Sequence, residues 1–205
     1  NTFENDSWQA SMMSYFSQTE NTTIFAAYEL LQTPMSVDWL ALDTMYGSQG
    51  FGVDNAFNGD TIYGFNTNIS STVSDIWASY SSYAHNTAST IIDADGIDTL
   101  DFSGYSATQL INLTVTQATD TAPSISNIGG STGNLTLAVG TVIENAIGGS
   151  GSDTFYGNAA ANTFTGNGGN DFFYDSLGAD TYYGNGGTDT VYFTGAYSSF
   201  TFAVA

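Results

Sequence analysis

Apolar residues recur at every ninth position between residues 148 and 192. The five consecutive blocks read GGSGSDTFY, GNAAANTFT, GNGGNDFFY, DSLGADTYY and GNGGTDTVY. The eighth position of each block is apolar or aromatic: Phe155, Phe164, Phe173, Tyr182 and Val191. The sixth position is an acid or its amide: Asp153, Asn162, Asp171, Asp180 and Asp189. Two positions held in phase over five blocks indicate an internal repeat, in which every block forms the same structural unit.

Each block predicts one turn followed by one short strand. Six residues rich in Gly, Asn and Asp form the turn, where glycine permits positive φ and close backbone approach. The last three residues form the strand, and only the middle one points inward because side chains alternate between faces. Two blocks complete one coil, so each block stacks on the second block after it. The predicted fold is mainly β, a parallel β-roll, preceded by a small helical part.

This stacking brings the sixth-position side chains together in pairs. The expected pairs are Asp153 with Asp171, Asn162 with Asp180, and Asp171 with Asp189. Carboxylates in this arrangement, together with turn carbonyls, form an oxygen cage that suits Ca²⁺, which takes roughly six to eight oxygen ligands. We therefore expect several calcium ions. The turn residues expected to contribute are Gly149, Gly151, Gly168 and Gly186.

Further strands are predicted ahead of the repeats. Between residues 96 and 147, apolar residues alternate or cluster between Gly, Asn and Ser turns. The predicted strand segments are IDTLDFSGY (97–105), LINLTV (110–115), GNLTLAVG (133–140) and TVIENAIGG (141–149). Residues 48–75 contain NGDTIYGF (58–65), which we interpret as a connector and a first coil. The predicted β-rich domain is therefore 48–205, with its nonapeptide repeats at 148–192.

The N-terminal part, 1–47, has a different pattern. The stretch TPMSVDWLALDTMYG (33–47) predicts a helix with Thr33 as N-cap, Pro34 as the first helical residue and Gly47 as C-cap. Asp38 falls near its first turn. Spacings of four, three and four place four apolar residues on one helical face: Met35, Trp39, Leu42 and Tyr46. We expect this face to pack against a core.

Charge limits the partners of the chain. It has 205 residues with 20 carboxylates, no lysine, no arginine and one histidine, for a net charge of −20. Nothing in it can neutralise a phosphate, so binding to nucleic acid or to an anionic membrane is not expected. Solubility or adaptation to salt would explain the charge, and so would metal cations that complete the structure. Cysteine is absent, which excludes disulfides and thiolate metal sites.

The repeat is similar to the RTX calcium-binding nonapeptide, Gly-Gly-x-Gly-x-Asp-x-apolar-x. The longer sequence resembles the serralysin-type secreted zinc proteases of the metzincin group, from about residue 11 to 192. The stretches that carry this resemblance, in the family's order, are SMMSYF (11–16), TPMSVDWLALDTMYG, NGDTIYGFNTN (58–68), DADGIDTLDFSGYS (93–106) and TVIENAIGGSGSDT (141–154). The first of them is similar to the Met-turn. Residues 1–47 would then be a remnant of a metzincin catalytic domain.

The resemblance implies a zinc site that this chain cannot complete alone. Met13 would lie beneath the zinc, and Tyr15 would be a zinc ligand that stabilises the reaction intermediate. A metzincin also needs His-Glu-x-x-His and a third histidine. The chain contains only His85, which we expect to be a solvent-exposed loop residue. Zinc is therefore expected only with an N-terminal segment, or a separate chain, that carries the zinc-binding helix, and this chain alone should be inactive.

The resemblance also implies a calcium site in the linker before the repeats. Asp93 and Asp98 would join backbone carbonyls around Phe57, Gly59 and Thr61. Asp95 stands where the family often has glycine, so its carboxylate either binds calcium or faces water. Each of these acids is equally compatible with a solvated turn.

Two functions from different classes fit these observations. The first is the calcium-binding C-terminal region of a secreted zinc endopeptidase that acts on proteins and is exported by type I secretion. The alternative is a non-catalytic extracellular structural protein, in a surface layer or filament, built on the same β-roll. The missing zinc ligands and the absence of Lys and Arg favour the alternative. A β-helical glycosidase is not favoured, because the acids lie in glycine turns in phase with the repeat.

Overall fold

The computed structural model describes residues 30–46, 57–93, 95–117, 120 and 122–194. Met13, Tyr15 and Gly47 lie outside the described residues, so the expectations for the Met-turn and for the C-cap of the helix stay predictions.

The described residues form short strands and a few helices. The strands are β1 (Leu30–Leu31), β2 (Ile62–Gly64), β3 (Thr87–Ile91), β4 (Thr99–Asp101), β5 (Leu110–Asn112), β6 (Leu135–Leu137), β7 (Asn145–Ile147), β8 (Thr154–Tyr156), β9 (Thr163–Gly168), β10 (Phe172–Tyr174), β11 (Thr181–Gly186) and β12 (Thr190–Tyr192). The helices are α1 (Ser36–Tyr46), α2 (Asp75–Ala78), α3 (Tyr80–Tyr83) and a 3₁₀ turn (Ala84–Asn86). None of the helices described is long and apolar enough to cross a membrane.

Two parallel sheets form the roll. One sheet has the strand order β11-β9-β7-β4-β2 and the other has the order β12-β10-β8-β5. Successive strands of the repeats alternate between the sheets, and each strand pairs with the one two blocks later. Thr154 pairs with Phe172, for example, and Thr163 pairs with Thr181. Two nine-residue blocks therefore make one coil, and the predicted parallel β-roll is confirmed.

The eighth position of each block lies between the two sheets. Phe155, Phe164 and Phe173 are almost completely buried, and Tyr182 and Val191 pack against them. The rings of Phe155 and Phe173 stack with centroids 5.0 Å apart, and Phe164 lies 5.5 Å from Phe155. Only the middle residue of β8 and of β10 is buried, as alternation of side chains predicts. A continuous aromatic stack thus holds the two sheets together.

The roll begins well before the repeats. Strands β2, β4 and β7 continue one sheet, and β5 continues the other. Their middle residues are fully buried in the same core: Tyr63, Leu100, Ala146 and Ile111. The predicted strands within 97–105, 110–115, 133–140 and 141–149 are confirmed, and so is the first coil within 58–65. Longer excursions of the chain separate these early strands, whereas the repeats follow one another directly.

The segment before the roll joins a third sheet, ordered β1-β3-β6. The Thr33 hydroxyl accepts the backbone N–H of Thr90 in β3 at 2.7 Å. Helix α1 starts at Ser36, where the Asp38 carboxylate accepts the backbone N–H of Met35 at 2.9 Å. The predictions of Thr33 as N-cap and Pro34 as first helical residue are wrong, because the sheet engages Thr33 and Asp38 satisfies the N-terminus.

The predicted apolar face of α1 is buried only over its first half. Met35 is buried, and Trp39 packs against Ile92 and Ala138. The side chains further along are exposed, at 36% for Leu42 and 40% for Tyr46. The expectation that the whole face packs against a core is therefore wrong for its second half. The domain division after residue 47 stays a prediction.

The aromatic stack gives a matched pair of substitutions on neighbouring residues. Phe173→Ala should lower the free energy of unfolding by about 3–5 kcal/mol, because it opens a cavity among Phe155, Phe164 and Tyr182. Phe172→Ala, on the outer face of the same strand, should cost much less because Phe172 is only half-buried. Urea unfolding of both variants in calcium-containing buffer measures this difference. Equal losses would contradict the inward orientation of the eighth position.

Candidate functional site

The residue immediately before each strand of the roll belongs to one of two columns. The first column precedes the strands of the four-stranded sheet and contains Gln109, Asp153, Asp171 and Asp189. The second column precedes the strands of the five-stranded sheet and contains Thr61, Asp98, Glu144, Asn162 and Asp180. The parallel register therefore stacks acidic side chains along each sheet.

Hydrogen bonds connect the first column from one rung to the next. The backbone N–H of Gln109 donates to Asp153 Oδ1 at 2.7 Å. The N–H of Asp153 donates to Asp171 Oδ1 at 2.8 Å, and that of Asp171 donates to Asp189 Oδ1 at 2.9 Å. The structure thus brings together the two expected pairs of this column, and each carboxylate accepts one N–H hydrogen bond from the preceding rung.

The second column repeats the same connection. The N–H of Thr61 donates to Asp98 Oδ1 at 2.8 Å, and the N–H of Asp98 donates to Glu144 Oε2 at 2.8 Å. The N–H of Asn162 donates to Asp180 Oδ1 at 2.9 Å. The strand register therefore places Thr61 and Asp98 of the predicted linker site in the same column as the predicted Asn162–Asp180 pair.

The second oxygen of each first-column aspartate turns back over its own glycine turn. Asp153 Oδ2 accepts the N–H of Gly149 at 2.7 Å. Asp171 Oδ2 lies over Gly166, where a Cβ atom would collide with it. Asp171 is fully buried, and its Oδ2 has no hydrogen-bond partner among the described residues. A buried carboxylate oxygen without a donor is costly, by at least about 1–3 kcal/mol, so this position favours a bound cation.

Burial changes the acidity of these carboxyl groups. Burial, reinforced by the charges of Asp153 and Asp189, raises the pKa of Asp171 to about 6. Burial, with the charges of Asp93, Glu144 and Asp60, raises the pKa of Asp98 to about 7. Burial also raises the pKa of Asp153. Carboxylates that are desolvated and close to one another ionise with difficulty, and a divalent cation between them would remove that penalty.

The acids of the linker differ in their exposure to solvent. Asp93 and Asp98 are buried, and Asp93 Oδ2 accepts the Tyr63 hydroxyl proton at 2.8 Å. Asp95 is exposed, and its carbonyl accepts the N–H of Gly59 at 2.7 Å. The Thr61 hydroxyl donates to the Gly59 carbonyl at 2.9 Å. The rings of Phe57 and Tyr63 pack edge to face, with their centroids 6.0 Å apart. The role of each of these residues in calcium binding stays a prediction.

Two column members were missed at the level of sequence, Glu144 and Gln109, and so was the relation of both to the acids of the repeats. A local signal for them exists. Glu144 precedes Asn-Ala-Ile, and Gln109 precedes Leu-Ile-Asn, at the offset at which Asp153 precedes Thr-Phe-Tyr. Asp60 was missed as well; its Oδ1 accepts the N–H of Ile97 at 2.9 Å. A search for a polar residue two positions before each inward apolar residue would have identified the columns.

The predicted turn glycines line the first column. The Gly149 carbonyl accepts the N–H of Gly168 at 3.1 Å, and Gly168 pairs with Gly186 in neighbouring strands. Gly151 lies in the turn beneath Gly169, which has a φ of +104°. Close stacking of turn on turn explains the need for glycine here. The contribution of these carbonyls to calcium binding stays a prediction.

Metal binding at these columns would depend on pairs of side chains and on backbone oxygens. In the part of the chain that the structure describes, no three His, Asp or Glu side chains form a cluster that could hold a metal. His85 is exposed, as predicted, and lies in the 3₁₀ turn at Ala84–Asn86. The atoms of the first-column aspartates that could bind a metal are carboxylate oxygens, which suit a hard cation such as Ca²⁺. The buried, unpartnered oxygen of Asp171 fits such an ion.

Comparison with known proteins gives consistent matches. The family described as peptidase M10 serralysin C terminal matches residues 54–200. Serralysin C of Dickeya chrysanthemi is 40% identical over 151 residues, which cover 74% of this chain and 28% of that protein. Metalloprotease AprA of Pseudomonas entomophila (strain L48) is 38% identical over 155 residues, 74% of this chain and 29% of that protein. Serralysin of Photorhabdus luminescens is 38% identical over 153 residues, which cover 74% of this chain and 28% of that protein. The chain thus spans less than a third of these relatives.

Two glycines test the contact between turn and carboxylate. Gly166→Ala should destabilise the protein by about 1–3 kcal/mol, because the new methyl group would displace the carboxylate of Asp171. Gly168→Ala is the matched control, since the nearest atom to its added methyl, Ser150 Cα, is 3.5 Å away. Urea unfolding in saturating calcium measures both. A Gly166→Ala protein as stable as the control would show that Asp171 does not lie over this turn.

The raised pKa values predict how the metal-free protein responds to pH. In the folded state the pKa of Asp171 is about 6 and that of Asp98 about 7, above the ordinary 3.8. Their contribution to stability is complete below pH 3.8 and is lost as pH rises through 6 and 7. In buffer freed of divalent cations by chelating resin, the β-signal in circular dichroism should be larger at pH 5 than at pH 7.5.

A salt control separates this effect from the net charge. Concentrated NaCl at pH 7.5 screens the exposed carboxylates but has little effect on buried ones. It should therefore restore less β-signal than acidification does. Full restoration by salt alone, or no change with pH, would contradict the assignment to Asp171 and Asp98.

Proposed function

The chain belongs to the peptidase M10 serralysin C-terminal family, and on this basis we propose that it is the calcium-binding β-roll region of a secreted zinc endopeptidase. In this proposal the region folds when it meets calcium outside the cell. The relatives named serralysin and metalloprotease support the enzymatic context, and the β-roll supports the role of this region within it.

The first column carries the proposal for calcium. Its aspartates are stacked in register and accept one N–H hydrogen bond from the preceding rung through Oδ1, and Asp153 and Asp171 are buried. Asp171 in particular keeps an oxygen without a hydrogen-bond donor among the described residues. With no Lys or Arg in the chain, no internal side chain can supply the missing positive charge. A divalent cation supplies it and joins two rungs at once.

Calcium dependence would couple folding to export. Extracellular modules bind calcium with dissociation constants on the order of 0.1–1 mM, far above the calcium concentration of the cytosol. Inside the cell the ionised columns would repel one another and oppose folding. Outside, calcium binding would supply free energy of folding, as metal ions do in other small domains. An unfolded chain suits passage through a type I secretion channel.

The catalytic centre would come from sequence beyond the described residues and beyond this chain. Met13 and Tyr15 are proposed to contribute the Met-turn and one zinc ligand. Zinc, when bound, would act as a Lewis acid on the substrate carbonyl. The remaining ligands require the His-Glu-x-x-His helix on another segment or chain, and protein substrates would be cleaved only in its presence.

Calcium titration tests the proposal directly. Far-UV circular dichroism should show β-signal that rises with calcium, with a midpoint on the order of 0.1–1 mM. Magnesium should be much less effective, because it demands octahedral geometry and retains its water. Asp171→Asn should raise the calcium midpoint at least about tenfold, since a charged ligand is lost. Asp120→Asn, an exposed acid outside both columns, is the control. A β-signal indifferent to calcium would falsify the proposal.

The enzymatic context has its own test. Casein hydrolysis should appear when the chain is supplied with a segment that carries the zinc-binding helix, and Tyr15→Phe should reduce it. Ordered polymers of the chain, without such a companion and without hydrolysis, would favour the alternative of a structural β-roll protein.

A further inference from the structure

The second column is interrupted by a neutral amide. Its acids lie on both sides of Asn162, with Glu144 on the preceding rung and Asp180 on the next. Asn162 is buried, at 1% exposure. It occupies the position that aspartate holds in the four other nine-residue blocks. A buried amide in a row of carboxylates changes what that rung can bind, because an amide both donates and accepts hydrogen bonds.

The Nδ2 group of the Asn162 side chain faces oxygen atoms. Its Nδ2 lies 3.2 Å from the Ile143 carbonyl, 3.2 Å from the Glu144 carbonyl and 3.2 Å from Asn158 Oδ1. Its Oδ1 accepts the N–H of Asn158 at 2.9 Å. The Asn158 amide also donates to the Ile143 carbonyl, at 2.8 Å. Oxygens that could face a cation between the two rungs are thus occupied by N–H groups.

The next acid of this column is satisfied by neutral donors. Asp180 Oδ1 accepts the N–H of Asn162 at 2.9 Å. Its Oδ2 accepts a hydrogen bond from the Ser176 hydroxyl at 2.8 Å and lies 3.2 Å from the Tyr182 hydroxyl, which is shared with Asp175 Oδ1 at 3.3 Å. Asp171 in the first column differs, because it is fully buried and one of its oxygens has no partner among the described residues. A cation is therefore needed to satisfy Asp171 in the first column but not to satisfy Asp180 in the second.

We propose that the Asn162 amide takes the place of a calcium ion at its rung. The second column is then divided, with cation binding confined to the side of Asp98 and Glu144, while the Asn162–Asp180 rung is closed by hydrogen bonds. This inference rests on the calcium binding proposed above for the first column. It replaces the expectation that Asn162 and Asp180 form a calcium pair.

The hydrogen-bonded rung has a structural consequence. It joins Ile143 and Glu144, which precede the repeats, to the turn at residues 157–162. This junction needs no cation, so it holds the repeats to the earlier coils when calcium is scarce. The calcium-dependent rungs of the first column can then assemble on a preformed edge.

The test is to restore the carboxylate. Asn162→Asp should bind one more calcium ion per chain than the wild type in native mass spectrometry, with equilibrium dialysis as a second measurement. Asn86→Asp is the matched control, because Asn86 is exposed and lies in the 3₁₀ turn outside both columns. The control should bind the same number of ions as the wild type.

Stability provides a second readout that needs no ion count. Asn162→Ala loses the donors and should be less stable than the wild type at every calcium concentration. Asn162→Asp should be destabilised at low calcium, where its charge faces carbonyl oxygens, and should recover in saturating calcium. Urea unfolding at both concentrations measures the pattern.

Three results overturn the inference. They are an unchanged ion count in Asn162→Asp, a calcium response of its stability equal to that of the wild type, or full stability of Asn162→Ala. A wild-type chain that binds no calcium at all would instead remove the proposed function. The effect of Asn162→Ala would then still decide whether the amide closes this rung.

Discussion

Parallel stacking in register places like charges above one another, and the rest of the structure depends on how that repulsion is compensated. Neighbouring rungs lie about 4.8 Å apart. Two carboxylates at such a separation repel by roughly 3 kcal/mol at an effective dielectric constant of about 20. Asp171 accepts the N–H of Asp153, for example, but a neutral donor does not neutralise a carboxylate. Burial removes water that would otherwise stabilise the negative charge. The chain has no basic side chain besides His85 to compensate for it.

The structure separates two kinds of cohesion. The aromatic stack of Phe155, Phe164 and Phe173 holds the sheets together by burial, which requires no ion. The edges of the roll, in contrast, consist of turns and carboxylates. Neighbouring rungs attract each other there only through the group that lies between them. In the proposal made above, an amide supplies that attraction at Asn162 and a cation supplies it at Asp171. The roll would then respond to calcium along part of its length and remain closed elsewhere.

The sequence is informative where the period is unbroken. Blocks of nine place Asp153 and Asp171 at one offset from the inward residue, so their stacking follows from counting. The earlier coils lack this regularity, because 37 residues separate Thr61 from Asp98 and 46 separate Asp98 from Glu144. The insertions hide the register, and only the three-dimensional pairing shows that the linker acids continue the second column.

The helix shows a different limit of sequence reasoning. Thr33 has the right chemistry for an N-cap, but a strand distant in sequence, at Thr90, engages its hydroxyl. Capping preferences describe local competition, and here a tertiary hydrogen bond prevails. Leu42 and Tyr46 likewise follow the helical period, but no packing partner among the described residues buries them. Periodicity predicts which residues share a face, but the length of the surface they meet is a property of the fold.

The most direct test of the account is a crystal structure grown with calcium, with anomalous scattering recorded at long wavelength to locate the ions. Anomalous peaks are expected between Asp153 and Asp171 and between Asp171 and Asp189, on rungs paired two blocks apart. Rungs in a different register, or a fully calcium-exposed crystal with no ion beside Asp171, would contradict it.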